Sequence, residues 1–300
     1  CVVGPHARRR RRDGHAVKVG CVILTMGDRP TALQRAVASI TAQRDVEIDC
    51  LVVVNAAADI DRPSGARVHV AGRNLGIPAG RNLGTRLVAG DLVLFLDDDA
   101  WLADDRVVAH AVERFTAEPR LGIMSLRIVD PDVKQTSRRH VPRLRVGDPR
   151  VGSEVTTFLG GAAIVRRVVF DEVGWLPDDF EYAHEETSLA WRALDAGWRI
   201  RYAGDLAIHH PATMPARHAR YYYLTARNRV LLARRHLPWT VGAVYLAVWV
   251  TATLLRGGSD GLRPSVRGFV DGFRHPRGHR DPISWRTVGR MARLGRPPIL

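Results

Sequence analysis

Apolar runs too short to be helices alternate with helix-patterned stretches from Val17 onward. Val17 to Thr25 (VKVGCVILT) is β-branched and apolar and is bounded by Gly27, the signature of a buried strand. Pro30 opens a helix in which Leu33, Val37 and Ile40 recur at helical spacing. Ile48 to Asn55 (IDCLVVVN) predicts a second buried strand and Val68 to Val70 a short third. Asn74 to Gly84 (NLGIPAGRNLG) reads as a glycine-rich turn leading into a helix that ends near Gly90, and Asp91 to Leu96 (DLVLFL) as the next strand. A helix over Asp104 to Phe115 and a strand over Gly122 to Ile128 follow. Asp130 to Gly152 is polar and proline-bearing, hence a loop; Thr156 to Val165 returns to strand character. Glu185 to Ala196 patterns as a helix stopped by Gly197, and Trp198 to Tyr202 and Ala207 to His209 as two short strands. This alternation predicts the α/β class, a Rossmann-like and mainly parallel sheet with helices on both faces. Beyond Pro211 the chain is helical and basic. The expected organisation is a basic tail over 1–16, a catalytic unit over 17–211 and a helical extension over 212–300.

Composition adds little to the fold and more to the partners. With 46% hydrophobic and 25% charged residues, the 300-residue chain is that of an ordinary globular protein rather than a disordered one. Its net charge is +14, with five consecutive arginines at Arg8 to Arg12 and more arginine after Arg217, which implies an anionic partner: nucleic acid, a phospholipid surface or phosphorylated small molecules. The basic regions lack the interleaved aromatics of nucleic-acid readers, so no nucleic-acid partner is expected. A non-catalytic protein binding nucleic acid or an anionic surface is the alternative. Cys21 and Cys50 fall in strand-like runs, Cys1 opens the chain, and nothing forms a disulfide framework or a CxxC pair, which favours a reducing cytosol. No apolar run follows the arginines, so no secretory signal is expected. Leu237 to Leu255 is uncharged and bracketed by Arg234-Arg235 and Arg256. As a helix it reaches about 28 Å against a hydrocarbon core of roughly 30 Å. Pro238, Thr240, Thr251 and Thr253 lower its apolarity, and Trp239, Tyr245 and Trp249 suit an interfacial helix as well as a spanning one.

The candidate chemistry begins at Asp97-Asp98-Asp99, directly after a buried strand, where open α/β sheets bind ligands. An extended chain turns Asp97 and Asp99 to one side and Asp98 to the other, and two hard oxygen donors at that spacing suit Mg²⁺ or Mn²⁺. A solvated turn or helix cap is the plainer reading. Glu185 and Glu186 supply a second carboxylate pair, fit for deprotonating a hydroxyl or simply for complementing a helix dipole. His209 and His210 end a strand before Pro211, where an imidazole completes a metal site or caps the strand. Arg81 and the amides of the glycine-rich turn suit an anionic group. The turn has neither the GxGxxG order nor the Walker A order, which argues against a dehydrogenase or a P-loop ATPase.

Taken in order, VGCVILTMGDRPTALQRAVASITAQ, CLVVVNAAAD, NLGIPAGRNLG, VLFLDDDA, FLGGAAIVRRVVFDEVGWLPDDF and HEETSLAWRALDAGWRI resemble family 2 of the inverting glycosyltransferases, over about residues 17–230. The resemblance implies the GT-A fold and a metal-dependent transfer of sugar from a nucleoside-diphosphate sugar. By it, Asp97 and Asp99 fall on the DxD pattern that holds the divalent metal and donor, with Asp98 beside them, and His209 on a histidine that ligates the metal in some members. Glu185-Glu186 falls on the Glu-Asp pair, with Glu186 as base. Thr25, Asp28, Arg29, Asn74 and Arg81 fall on the donor pocket, and Gly160, Gly161 and Trp175 near the acceptor. Two departures stand out: Glu replaces the usual Asp at the base position, and Asn55 stands where an aspartate usually reads the base, leaving uridine and deoxythymidine both open. TMGDRP, NLGIPAGRN and the stretch YYYLTARNRVLLARRHLP are similar to actinobacterial enzymes that add galactofuranose or rhamnose to lipid-linked cell-wall glycans. That similarity implies a polyprenyl-linked acceptor and a place at the cytoplasmic face of the membrane.

Overall fold

The computed structural model describes residues 17–57, 59–211, 219–256 and 258–299. The predicted basic tail over 1–16, with Arg8–Arg12 and Cys1, lies outside them, as does the start of the extension over 212–218.

Strands β1 (Lys18–Thr25), β2 (Glu47–Val54), β3 (Arg67–Val70) and β4 (Leu92–Asp97) form a parallel half-sheet. Between them run α1 (Pro30–Thr41) and α2 (Ile77–Leu87). The chain continues through β5 (Trp101–Leu102), α3 (Val107–Ala117), β6 (Leu121–Val129), β7 (Ser153–Glu154), β8 (Ala162–Arg166), α4 (Arg167–Val173), α5 (Glu185–Asp195) and β9 (Arg199–His209). The sheet order is β3-β2-β1-β4-β8-β6-β9-β5, with β7 on β9. The expectation of a mainly parallel sheet holds for the first half and for the pairing of β6 with β9. Strand β8 runs antiparallel to both β4 and β6, and β9 antiparallel to β5 and β7. The central sheet is mixed, because β8 returns from the loop after β6 without a crossover helix.

Alternation along the strands sorts the core into two layers. Val93 and Phe95 of β4 join one apolar cluster with α4 and α5, whereas Leu92, Leu94 and Leu96 join the other with α1 and α3. Three predicted bounds move. Most of the glycine-rich stretch is helix rather than turn: Gly80 and Gly84 lie inside α2, where a β-carbon would strike Leu24 and Val22 of β1, so the missing side chains let helix and strand approach. The strand expected over Thr156 to Val165 begins only at Ala162. The two short strands after Gly197 are one strand, β9, whose pairing with β6 slips between Leu126 and Arg127.

The C-terminal segment forms α6 (Ala219–His236), α7 (Trp239–Arg256), α8 (Ser259–Arg274) and α9 (Trp285–Arg293). These helices share a core with the sheet: Leu231, Leu237, Tyr245, Ile283 and Met291 belong to the same apolar cluster as Phe95 and Trp191. No described helix is long and apolar enough to cross a membrane. Helix α7 buries Val241 and Tyr245 while Trp239, Val244, Leu254 and Leu255 are exposed.

Candidate active site

A cleft of about 1200 Å³ opens beyond the C-terminal ends of β1, β2 and β4. Its acidic floor is the turn after β4, closed by a hydrogen bond from the Ala100 amide to the Asp97 carbonyl (3.0 Å). Asp98 turns into the protein and accepts a hydrogen bond from the Thr25 hydroxyl (2.6 Å). Burial raises its pKa, against the opposing pull of Thr25 and Arg29. Asp97 and Asp99 face a common imidazole: His210 Nε2 lies 3.1 Å from Asp99 Oδ1 and 3.9 Å from Asp97 Oδ2. Burial works to raise the pKa of Asp99, but His210 and then Arg29, which ion-pairs directly with it, outweigh burial and hold it below the usual range. Burial also works to lower His210, and Asp99 and Asp97 overcome it, so this imidazole is raised.

Arg81 connects this turn to the glutamate pair. Its buried guanidinium reaches Asp97 Oδ1 (3.2 Å), Glu186 Oε1 (3.4 Å) and Glu185 Oε1 (3.8 Å). Desolvation disfavours that charge, yet Asp97, Glu186 and Glu185 together raise its pKa. Glu185 is 2% exposed, and burial, then the adjacent Glu186, pushes it up to about 8. Glu186 keeps 22% of its side chain exposed and is the more accessible of the pair. Gly160 and Gly161 pack against these acids. A β-carbon at Gly160 would collide with Glu186 and Arg81, and one at Gly161 with Asp97. The pair expected near the acceptor thus packs against Glu186, Arg81 and Asp97.

Several other predicted residues reach the cleft. Thr25, Arg29, Asn55 and Asn74 line it. Asn55 is buried and latches the loop before α2, donating to Asn74 Oδ1 and the Gly76 carbonyl (3.2 Å each) and accepting from the Leu75 amide (2.8 Å). Three predictions need correction. His210, the residue just after β9, meets Asp97 and Asp99, and His209, the last residue of the strand, does not. The His209 ring stacks on Trp101 (5.4 Å) in a separate cavity, and burial, then Arg35 and Arg127, lower its pKa. His210 takes the expected place. Trp175 is sandwiched between Phe170 (5.3 Å) and the Arg86 guanidinium (4.5 Å) and lines no cleft wall. Asp28 is exposed on the loop after β1, outside the cleft, where it is 3.9 Å from Arg29.

Sequence reasoning missed the opposite wall: His140, Glu181, Tyr182, Arg220 and Tyr221. His140, on a one-turn 3₁₀ helix at Arg138–His140, has its pKa lowered to about 4, by burial and then by Arg139 and His210. Glu181, Ala183 and His184 all have positive φ (60°, 69°, 72°), a concentration of backbone strain just before α5. Helix α6 holds it there. Asn228 Nδ2 donates to the carbonyls of Phe180 (2.9 Å), Tyr182 (2.8 Å) and Ala183 (2.9 Å), and Arg227 donates to Asp179 and Phe180. The available signal was the buried-polar pair Arg227-Asn228 within the basic helix.

Among the described residues no cluster of three or more His, Cys, Asp or Glu is arranged to hold a metal ion by itself. The donor types are nevertheless suitable for a hard cation: two carboxylates and an imidazole meet at the cleft floor, each engaged by a protein cation or by one another.

Among solved structures, the fold is similar to GalNAc-T7 with UDP, GalNAc and Mn2+ (TM-score 0.64, 13% identity, covering 94% of this chain and 57% of that one). It is similar to residues 1-349 of S. aureus TarS with UDP-GlcNAc (0.59, 13%, 91% and 83%). The mannosyltransferase PcManGT from Pyrobaculum calidifontis with GDP-Man and Mn2+ also matches (0.55, 15%, 94% and 80%). The chain spans 50% of a longer TarS chain, so about half the length of that relative. No curated protein matches the sequence. At these identities the likeness speaks to fold, that of the GT-A glycosyltransferases. The family model described as glycosyl transferase family 2 matches residues 21–174, half of the chain, and the protein belongs to that family.

Proposed function

We propose that the protein transfers a sugar, with inversion and with help from a divalent cation, from a nucleoside-diphosphate sugar to a hydroxyl of a lipid-linked or glycan acceptor. The observation that carries this reading is the buried Arg81, which joins Asp97 on the cleft floor to Glu186 and so sets donor-holding and proton-accepting carboxylates around one cation. Asp97, Asp99 and His210 would hold Mg²⁺ or Mn²⁺, which supplies charge neutralisation for the leaving diphosphate. Arg29 and Arg220 line the same cleft and favour the donor's phosphates. Glu186 accepts the proton of the attacking hydroxyl. Burial, then Glu186, raises the pKa of Glu185, which weakens its competition with Glu186 for Arg81.

The nucleotide-sugars and Mn2+ bound by similar structures support the donor class and the cation. For the finer donor we propose UDP-galactofuranose or dTDP-rhamnose, on the sequence motifs alone. For the acceptor we propose a polyprenyl-linked cell-wall glycan, met peripherally at the cytoplasmic face of the membrane. The apolar side chains exposed on α7 and α8, among them Leu254, Leu255 and Phe273, beside many arginines, support a membrane-surface partner. The test is a panel of nucleotide-sugars assayed for hydrolysis and transfer with and without chelator. Turnover of one donor that stops on chelation and returns with Mn²⁺ is expected. Transfer undiminished by chelator would remove the cation from this reading, and no turnover of any donor would remove the activity.

A further inference from the structure

A second cavity, of about 170 Å³, shares no lining residue with the donor cleft. It is enclosed by the start of α5, by α6 and α7, and by the chain after α9. His184 and Thr187, on its wall, bracket Glu185-Glu186 in sequence, so the cavity abuts the first turn of the helix that carries the proposed base. Its polar lining is rich in donors, while the hydroxyls of Tyr245, Thr156, Thr157 and Thr187 can also accept, and Tyr245 hydrogen-bonds Arg229. Arg229 and Arg296 project into it beside the indole of Trp249, and guanidinium and indole N–H groups donate and cannot accept. Arg229 Nε, Trp249 Nε1 and His184 Nε2 are buried and without a hydrogen-bond partner. No side chain caps the N-terminus of α5, an eleven-residue helix.

The charge does not balance either. Among the described residues no Asp or Glu lines the cavity, and neither arginine forms an ion pair with them. Arg229 lies 3.8 Å from the centre of the Trp249 ring, a contact that accommodates a cation without neutralising it. Burial draws both guanidiniums below their ordinary pKa and takes His184 down to about 3, so the histidine adds no charge and can serve as donor or acceptor. Water satisfies unpaired donors but supplies no counter-charge, and two partly buried cations lining one cavity favour an anion. The hydroxyls of Thr156, Thr157 and Thr187 add further donors. At this volume, well below the roughly 300–1,000 Å³ of pockets for larger ligands, the space suits one small ion rather than a nucleotide.

We propose that this cavity is a binding site for a single small divalent oxyanion, phosphate or sulfate, held by Arg229, Arg296 and the Trp249 indole behind the first turn of α5. The inference is independent of the transfer reaction. It is tested on the full chain with ¹⁵N-labelled tryptophan indoles, the Trp249 resonance being assigned by its loss in Trp249→Phe. No tryptophan lines the donor cleft, so phosphate bound there leaves this probe unmoved. Titration with sodium phosphate or sulfate is expected to shift the Trp249 indole saturably, with sodium chloride at equal ionic strength having no such effect. In Arg296→Met, which keeps the stem and removes the charge, phosphate affinity at this probe falls about tenfold or more. Should that variant fail to fold, Thr157→Val serves in its place, with a smaller loss of affinity. An indole that responds alike to chloride and phosphate, or that does not respond, overturns the site, as does undiminished affinity in the folded Arg296→Met protein.

Discussion

At the scale of single residues, the two adjacent glutamates are separated by their surroundings. Glu186 is partly exposed and Glu185 buried, and Arg81 touches both. Replacing Glu186 with Gln keeps the shape and removes the proton acceptor. Transfer should fall about 10²–10⁴-fold while the dissociation constant of the donor stays within a few-fold, read by steady-state kinetics beside calorimetric donor binding. Retained turnover would reassign the base. Glu185 carries the opposite signature. Its folded-state pKa is raised, to about 8, so the folded protein holds this proton more tightly than the unfolded chain does. A raised carboxylate favours folding while protonated, and that advantage is lost as pH climbs from the ordinary glutamate range, near 4.3, through the raised value. Glu185→Gln, which cannot ionise, should therefore gain stability relative to the parent at pH 9 compared with pH 5. Equal differences in unfolding midpoint at the two pH values would contradict the burial argument. Gly161 makes a steric prediction. An alanine there displaces Asp97, so Gly161→Ala should raise the donor KM and cut kcat with little change in thermal midpoint, whereas parent-like kinetics would show that the turn yields freely.

At the scale of elements, the segment before α5 is held from outside itself. Three residues with positive φ persist because Asn228 and Arg227 of α6 satisfy its carbonyls, and because Ile77 of α2 donates to Glu181 (2.8 Å). Such strain survives only where neighbouring structure over-determines it. Removing the Asn228 amide in Asn228→Ala leaves buried carbonyls unpaired, at a cost of about 1–3 kcal/mol. Denaturant unfolding should show that loss, and kcat/KM should drop as well, since Glu181 and Tyr182 line the cleft and Glu186 follows closely. A destabilised variant with parent kinetics would confine Asn228 to a structural role. His209, the last residue of β9, and His210, just beyond it, serve different cavities.

At the scale of the molecule, the helical C-terminal region completes the core rather than hanging from it. Leu231, Leu237, Tyr245 and Met291 pack with Phe95 and Trp191, and Arg235 ion-pairs with Asp179 (2.5 Å) beside the strained segment. A chain ending at Pro211 would expose that apolar surface and lose the Asn228 clamp. It should be recovered insoluble, or with a cooperative transition far below that of the longer chain by calorimetry. A soluble, cooperatively folding fragment would show that 17–211 stands alone. Membrane association is best measured instead on the full chain by cosedimentation with anionic vesicles, after replacing Leu254 and Leu255 with Ser.

The sequence by itself determined the strands, the helices that follow them, and the acidic turn at the end of β4, because these depend on local periodicity and on the short reach from a buried strand to its own C-terminal end. The extended chain that would set Asp98 apart from Asp97 and Asp99 is not what forms: Asp98 and Asp99 lie in a turn, and it is the hydrogen bond from Thr25 that draws Asp98 inward. Tertiary structure alone decided that His210 and not His209 meets Asp97 and Asp99. It decided that Trp175 packs away from the cleft, and that Arg81 bridges both carboxylate groups across separations of 16 and 105 residues. It also decided that half of the sheet is antiparallel in its pairing and that the basic helices share its core. Each of these depends on contacts between segments remote in sequence, which no local pattern encodes.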